Sequence, residues 1–325
     1  MIPARTVSVV TPVYNEADTL ERFYQRTRGA LERCGLQGFE LVFVDDGSTD
    51  ATPRLIERFA AADPAVKSLT LSRNFGHHPA VFAGLAFASG EAVIILDADL
   101  QDPPELIPEL LAAHWDGCEL VFARRTDSQD AVVLKALKYA FRWLMRKISA
   151  IDFPHHVGVY SVMSRSLKEL LLSMPERERY LVAMQLYLGF RVGFVDYARD
   201  RRQGGASKQD WGRLVRLGMN SLFAYSSLPL RCSMFAGFLC LLATVAALAY
   251  ILYAKLVLKI AITGWASVMT AILGMGAIQL LSLWVIGEYV DRIFENTKGR
   301  PYFIVWKQAG RPGIDSARRT TAVRS

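Results

Sequence analysis

Two aspartates two residues apart, Asp97 and Asp99, follow the apolar run 92–96. Alternate side chains of an extended segment point the same way, so both carboxylates face one ligand. Carboxylate oxygens placed like this suit a hard divalent cation, Mg²⁺ or Mn²⁺, whose other positions take phosphate oxygens. A bare Asp-x-Asp is common by chance, but two further apolar runs also end in acidic residues. Run 7–13 leads into Tyr14-Asn15-Glu16, and run 40–44 into Asp45-Asp46-Gly47-Ser48. Three acidic strand ends in one chain point to a polar ligand held with a cation. No GxGxxG follows the first run, which removes the main support for a dinucleotide-binding domain. His77-His78 and His155-His156 lack a metal-binding spacing, and His77 reads as a cap or packing residue at a helix start. Asp46, Ser48 and Asp50 read as turn and helix-cap residues.

The elements that must position these groups alternate. Strands are expected over 7–13, 40–44, 68–71, 92–96 and 120–123, with helices over 17–34, 51–62, 79–88 and 104–115. Val-, Ile- and Leu-rich strands separated by helices predict an α/β fold, a mostly parallel sheet covered on both faces. Ligands of such sheets gather beyond the carboxyl ends of the strands, where the acidic motifs lie. Asp102-Pro103-Pro104-Glu105 has the pattern of a capping box ahead of the fourth helix.

The chain has 325 residues, 52% hydrophobic and 21% charged, with a net charge of +7 from 38 Lys+Arg against 31 Asp+Glu. This composition excludes a disordered tail protein. The basic balance suits nucleic acid, an anionic membrane or a phosphorylated substrate. The apolar residues decide more. Residues 234–253 and 265–286 are uncharged stretches of 20 and 22 residues, and Lys255 and Lys259 are the only charges between Cys232 and Gly287. Each stretch is long enough, as a helix, to cross a hydrocarbon core. Arg213, Arg216 and Arg231 precede the first, and eight Lys or Arg from Arg292 to Arg324 follow the second. The positive-inside rule then puts the head and both termini in the cytoplasm, and no signal peptide is expected before the first strand. Residues 135–151 and 209–223 read as amphipathic segments suited to a membrane surface. Cys34, Cys118, Cys232 and Cys240 form no CxxC pair and are expected as thiols. The basic residues cluster by the apolar stretches and form no recognisable reader motif, so nucleic acid is not expected as a partner.

The segments VTPVYNE, DDGS, RNFGHH and DADLQDPPE, followed by paired apolar stretches, resemble family-two glycosyltransferases of the GT-A fold. Within these the chain is similar to the polyprenyl-phosphate glycosyltransferases, which include dolichol-phosphate mannose synthase and its bacterial GtrB-like and ArnC-like relatives. The likeness runs from Ser8 to about Phe303. It implies a cytoplasmic GT-A catalytic domain over 1–208, a juxtamembrane segment over 209–231, two transmembrane helices within 232–287 and a basic tail over 288–325. It implies transfer of a sugar, with inversion, from a nucleotide sugar (a UDP-sugar is expected) to undecaprenyl or dolichyl phosphate in the bacterial inner membrane. A homo-oligomer (tetramers occur among relatives) and a downstream flippase are further implied partners.

The resemblance also assigns residues. Pro12, Tyr14 and Glu16 fall where the family lines its nucleotide pocket, Asp45 where it recognises the base, and Arg73 in a basic slot near the nucleotide. Asp97, Asp99 and Gln101 match the metal and diphosphate cluster. Arg125 matches an arginine for the lipid phosphate, with Lys135 and Lys138 in support. Arg202-Gln203-Gly204-Gly205-Ala206-Ser207-Lys208 resembles the family's basic loop, in which Arg202, Ser207 and Lys208 would serve the diphosphate through backbone N–H groups and cationic charge. Asp99, Arg125 and Arg202 are the expected catalytic residues.

There are departures. Gly158-Val159-Tyr160-Ser161-Val162 stands where the family has G-D-F-R-L, Val182 replaces a common arginine and Tyr187 a common tryptophan. Two other readings follow from the motifs: a catalytically silent nucleotide-sugar-binding scaffold, and a processive polysaccharide synthase. The intact Asp97/Asp99/Gln101 cluster argues against the first. The absence of Q-x-x-R-W and the presence of only two apolar stretches argue against the second.

Overall fold

The computed structural model describes residues 5–126, 154, 156–176, 179–198, 228–257 and 264–309. The amphipathic segments 135–151 and 209–223, and the site assignments at Lys135, Lys138, Arg202, Ser207 and Lys208, lie outside the described residues. The chain divides into two compact units: Met1–Arg142, Ile151–Ala206 and Arg300–Ser325 form one, Trp143–Ala150 and Ser207–Gly299 the other.

The first unit is an α/β sandwich. Its strands are β1 (Thr6–Val13), β2 (Gly38–Asp45), β3 (Val66–Leu71), β4 (Ala92–Ile95), β5 (Leu120–Arg125), β6 (Val157–Ser164), β7 (Val192–Tyr197) and β8 (Val305–Ala309). They form one sheet in the order β7-β5-β6-β4-β1-β2-β3-β8. Only β6 and β8 run against the rest: β6 pairs antiparallel with β4 and β5, and β8 with β3. The helices are α1 (Ala17–Glu32), α2 (Thr52–Ala62), α3 (His77–Phe87), α4 (Ile107–Trp115, entered through a 3-10 turn at Pro104–Leu106), α5 (Arg165–Ser173) and α6 (Leu181–Tyr187).

Neighbouring strand residues are buried on opposite faces, which is why these strands are apolar without alternation. Val9 packs with Leu20, Phe23, Ile56 and Leu110 from α1, α2 and α4. Val10 packs with Val81, Phe82, Leu167 and Leu181 from α3, α5 and α6. The expected strands and helices up to residue 125 are all present. The capping box is not. Pro103 is the residue capping the 3-10 turn and no side chain bonds there, because Asp102 turns instead to Tyr197 and Arg125. Beyond residue 150 the sheet gains β6, β7 and β8, none of which the sequence periodicity marks. Residues 305–309, placed in a tail by sequence, are an edge strand of the first unit.

The second unit contains α7 (Leu228–Leu256, 29 residues) and α8 (Trp265–Thr297, 33 residues). Large apolar side chains on both are exposed, among them Phe235, Leu242, Leu280 and Ile293. Counted over the described residues alone, no helix is long and apolar enough to cross a membrane.

One buried charge ties the amino ends of the strands. The Glu40 carboxylate accepts from Ser8 Oγ (2.7 Å), Ser89 N (2.6 Å) and Ser89 Oγ (2.8 Å), and pairs with Lys67. Burial opposes its charge, but these donors outweigh that and hold its pKa below the usual glutamate value. Its contribution is therefore present above about pH 4.5 and lost as pH falls through the lowered value. Glu40→Ala leaves Lys67 without its partner and should cost about 3–5 kcal/mol. The check is urea unfolding at pH 7, where the midpoint should fall at unchanged slope.

Candidate active site at the carboxyl ends of the strands

β1, β2, β4, β5 and β7 run the same way, so their carboxyl ends share one edge of the sheet. At the end of β1, Pro12 is buried within the strand, while Tyr14 stands 46% exposed. The turn is held by the loop after β2. Asn15 N donates to Ser48 Oγ (3.0 Å), Glu16 N to Thr52 Oγ1 (3.0 Å), and Asn15 Oδ1 accepts from Thr49 N (2.8 Å). Ser48 and Asp50 are thus turn residues, as expected, with Asp50 accepting from Thr52 N (2.9 Å).

Asp45 ends β2 and is buried. Its Oδ1 accepts from Ser48 N (3.0 Å), and Oδ2 is buried with no hydrogen-bond partner within the described structure. Burial raises its pKa, against the bonds from Ser48. A buried, unpaired carboxylate oxygen is costly unless something donates to it. Asp45 is therefore ready for a donor from a ligand.

Asp46 does more than cap. Its two oxygens accept from Phe75 N (2.7 Å) and Gly76 N (2.9 Å), which pins the loop ahead of α3. Gly47 makes room for that loop: a Cβ there would lie 2.7 Å from Arg73 C and Asn74 N, and φ is +73°. Within the loop, the Arg73 guanidinium sits 4.2 Å over the Phe75 ring. The pinned loop delivers His77, whose Nε2 is 2.8 Å from Asp97 Oδ1. His77 therefore contacts the acidic pair and is more than a packing residue. Partial burial opposes its charge, but Asp97, Asp46 and Asp99 together raise its pKa above the usual value. The adjacent His78 is the reverse case, with burial and the neighbouring His77 lowering it to about 4.

Asp99 Oδ1 accepts from Gln101 N (3.1 Å), across Leu100 held at φ +57°. A left-handed leucine is unfavourable, and here it turns the chain directly after the acidic pair. Gln101 is buried. Asp97 Oδ2 makes no hydrogen bond among the described residues. As a donor set, two aspartates two residues apart supply the oxygen chemistry that Mg²⁺ or Mn²⁺ takes. Among the described residues no group of three or more His, Cys, Asp or Glu is placed to hold a metal by itself. The arrangement fits a cation that a phosphorylated ligand helps to hold.

A second cluster lies at the ends of β5 and β7, and the sequence reading caught only one member. Arg125 Nη2 reaches Asp102 Oδ2 (3.2 Å), Arg125 Nε donates to Tyr197 Oη (3.0 Å), and Tyr197 Oη donates to Asp102 Oδ1. Asp102 is 2% exposed. Arg125 keeps a partly exposed guanidinium. At the family-variant positions, Ser161 is buried and accepts from Gln185 Nε2 (3.3 Å), and Val182 is packed in the core. A neutral hydrogen bond occupies the Ser161 site.

The chain is similar to several known proteins. A sequence profile described as Glycosyl transferase family 2 matches residues 8–172. The uncharacterized glycosyltransferase YkcC of Bacillus subtilis is 36% identical over 304 residues, covering 93% of this chain and 94% of that protein. The SfII prophage-derived bactoprenol glucosyl transferase of Shigella flexneri is 36% identical over 304 residues, covering 93% and 97%. Among solved structures, glucosyl-3-phosphoglycerate synthase from Mycobacterium tuberculosis matches 67% of this chain and 76% of its own, at 23% identity and TM-score 0.48.

Two measurements check the site. Asp46→Ala should release the loop, so that the amides of Phe75 and Gly76 exchange with solvent at least about tenfold faster while the β1 amides do not. Histidine NMR should show His77 titrating above 6.5, its ion pair with Asp97 present below that midpoint and weakening as pH rises through it. Asp97→Asn should bring the midpoint back towards 6.5.

Proposed function

The chain belongs to glycosyl transferase family 2, and on that premise we propose that it is a membrane-bound enzyme moving a sugar from a UDP-sugar to polyprenyl phosphate. That it is a glycosyltransferase follows from the family. The acceptor reading is carried by one observation: likeness along 93% of the chain to a bactoprenol glucosyl transferase, well beyond the sugar-transfer domain itself. The site supports it, since the unpaired Asp45 oxygen, the Asp97/Asp99 pair and Arg125 share one sheet edge.

A phosphate acceptor simplifies the chemistry. It is already largely ionised near neutral pH, so it attacks the sugar C1 without a protein base. Val159 in place of an acidic residue is then tolerable. The protein's tasks are alignment and stabilisation of the departing diphosphate. Asp45 Oδ2 accepts an N–H of the base, beside Pro12, Tyr14, Glu16 and Arg73. Asp97 and Asp99, with Gln101 in support, hold Mg²⁺ or Mn²⁺, which when bound supplies Lewis-acid charge against the diphosphate. Arg202, Ser207 and Lys208 serve the diphosphate, and Arg125, with Lys135 and Lys138, the acceptor phosphate. In-line displacement inverts the sugar.

We place α7 and α8 across the membrane. Their lengths correspond to roughly 43 and 50 Å at 1.5 Å per residue, and their exposed apolar side chains suit lipid. Two crossings return the chain to the side it left, which is compatible with the pairing of β8 with β3. The flanking Lys and Arg put that side in the cytoplasm. An oligomer, and a flippase that carries the product across, complete the reading.

Asp99→Ala should lower transfer to polyprenyl phosphate by roughly 10³-fold while membrane insertion is unchanged. The assay is labelled-lipid formation by membranes carrying equal amounts of each protein. Full activity of the variant would remove Asp99 from the mechanism.

A further inference from the structure

Arg125 is held by both its backbone and its side chain at this edge of the sheet. Its backbone N donates to His156 O (3.0 Å), its Nε to Tyr197 Oη and its Nη2 to Asp102. Tyr197 Oη in turn donates to Asp102 Oδ1, closing a ring of three side chains. The position opposite is glycine: a Cβ on Gly158 would lie 3.3 Å from Arg125 Nη2, tighter than most real contacts. Two of the guanidinium's nitrogens are spent on this ring, and Nη1 makes no hydrogen bond among the described residues. The side chain is 29% exposed, against 3% for Asp102. Held at one edge, such a fork has its other edge pre-aimed, and a planar guanidinium is the group that reads phosphate oxygens directionally.

We propose that Asp102 and Tyr197 are positioning residues that fix the Arg125 guanidinium so that its free edge receives the acceptor phosphate. This rests on the polyprenyl-phosphate reading above. Neither residue touches a substrate. Asp102 supplies the counter-charge that keeps the guanidinium from swinging into solvent. Tyr197 has two jobs: it takes the Nε hydrogen bond, and it bonds Asp102 Oδ1, holding the carboxylate where Nη2 meets it. The Tyr197 ring packs edge-on to Tyr160 at 6.4 Å, and Tyr160 Oη donates to Pro103 O (3.2 Å). The ring is therefore held by the Pro103 turn that follows Asp102. Pre-organising the arginine removes ordering cost from acceptor binding, so the effect belongs to the acceptor and not to the nucleotide.

The test uses the full chain, purified in detergent, with undecaprenyl phosphate. Tyr197→Phe keeps the ring and removes only the hydroxyl. It should raise KM for the lipid phosphate about five- to tenfold, the scale of a lost hydrogen bond, with the UDP dissociation constant unchanged and the enzyme still folded at the assay temperature. In an Arg125→Ala background the same substitution should change nothing further, since the two residues act as one unit. An unchanged lipid-phosphate KM in an active Tyr197→Phe enzyme would overturn the inference, as would an equal loss in both backgrounds or an equal rise in UDP dissociation. A wild type that transfers no sugar to polyprenyl phosphate overturns the parent reading and this inference with it.

Discussion

The candidate site depends on one carboxylate whose two oxygens are both engaged by backbone N–H groups. Asp46 gathers the N–H groups of Phe75 and Gly76, and the side-chain-free Gly47 lets the same loop cross above it. Charge-assisted bonds to backbone N–H groups are strong when buried, and burial raises the Asp46 pKa only against these two bonds. Through the pinned loop, the end of β2 reaches His77, and through His77 it reaches Asp97 at the end of β4. The ends of β2 and β4, which are not neighbours in the sheet, are thereby made into one surface.

That surface concentrates negative charge. Asp45, Asp46, Asp97 and Asp99 all lie at one edge, and among the described residues His77 stands against Asp97 and Arg125 against Asp102. The two pairs differ. His77 titrates, and its partner belongs to the proposed cation cluster. Arg125 is permanently charged and its partner is buried. In the proposed reaction donor diphosphate and acceptor phosphate, both anionic, would repel each other unless each met its own cation.

How much of this was readable from sequence follows from how local each feature is. The first five strands and four helices stand out because a doubly covered parallel sheet needs continuous apolar runs, such as Val7–Val10 and Ala92–Ile95. Asp97 and Asp99 stand out because their spacing and their place after a strand are both local. Strand β6 does not, since its pairing with β4 and β5 joins segments far apart in sequence, and β8 returns to β3 only after both long helices. Asp102 was misread for the same reason. Its neighbours Pro103, Pro104 and Glu105 make a convincing cap, yet the residue is claimed by Tyr197, 95 positions away. The partnership of His77 with Asp97 likewise depends on a loop held from elsewhere. What sequence leaves out is tertiary hydrogen bonding between polar side chains.

The central claim is that this edge of the sheet joins a nucleotide-bound sugar to a lipid phosphate. The most direct measurement supplies the purified chain, in vesicles containing undecaprenyl phosphate, with a panel of labelled UDP-sugars and with Mg²⁺ or Mn²⁺. The account predicts that one sugar appears in the organic extract, linked through a single phosphate, with one UDP released per sugar transferred. Label in a polymer, or nucleotide binding with no labelled lipid from any donor, would contradict it.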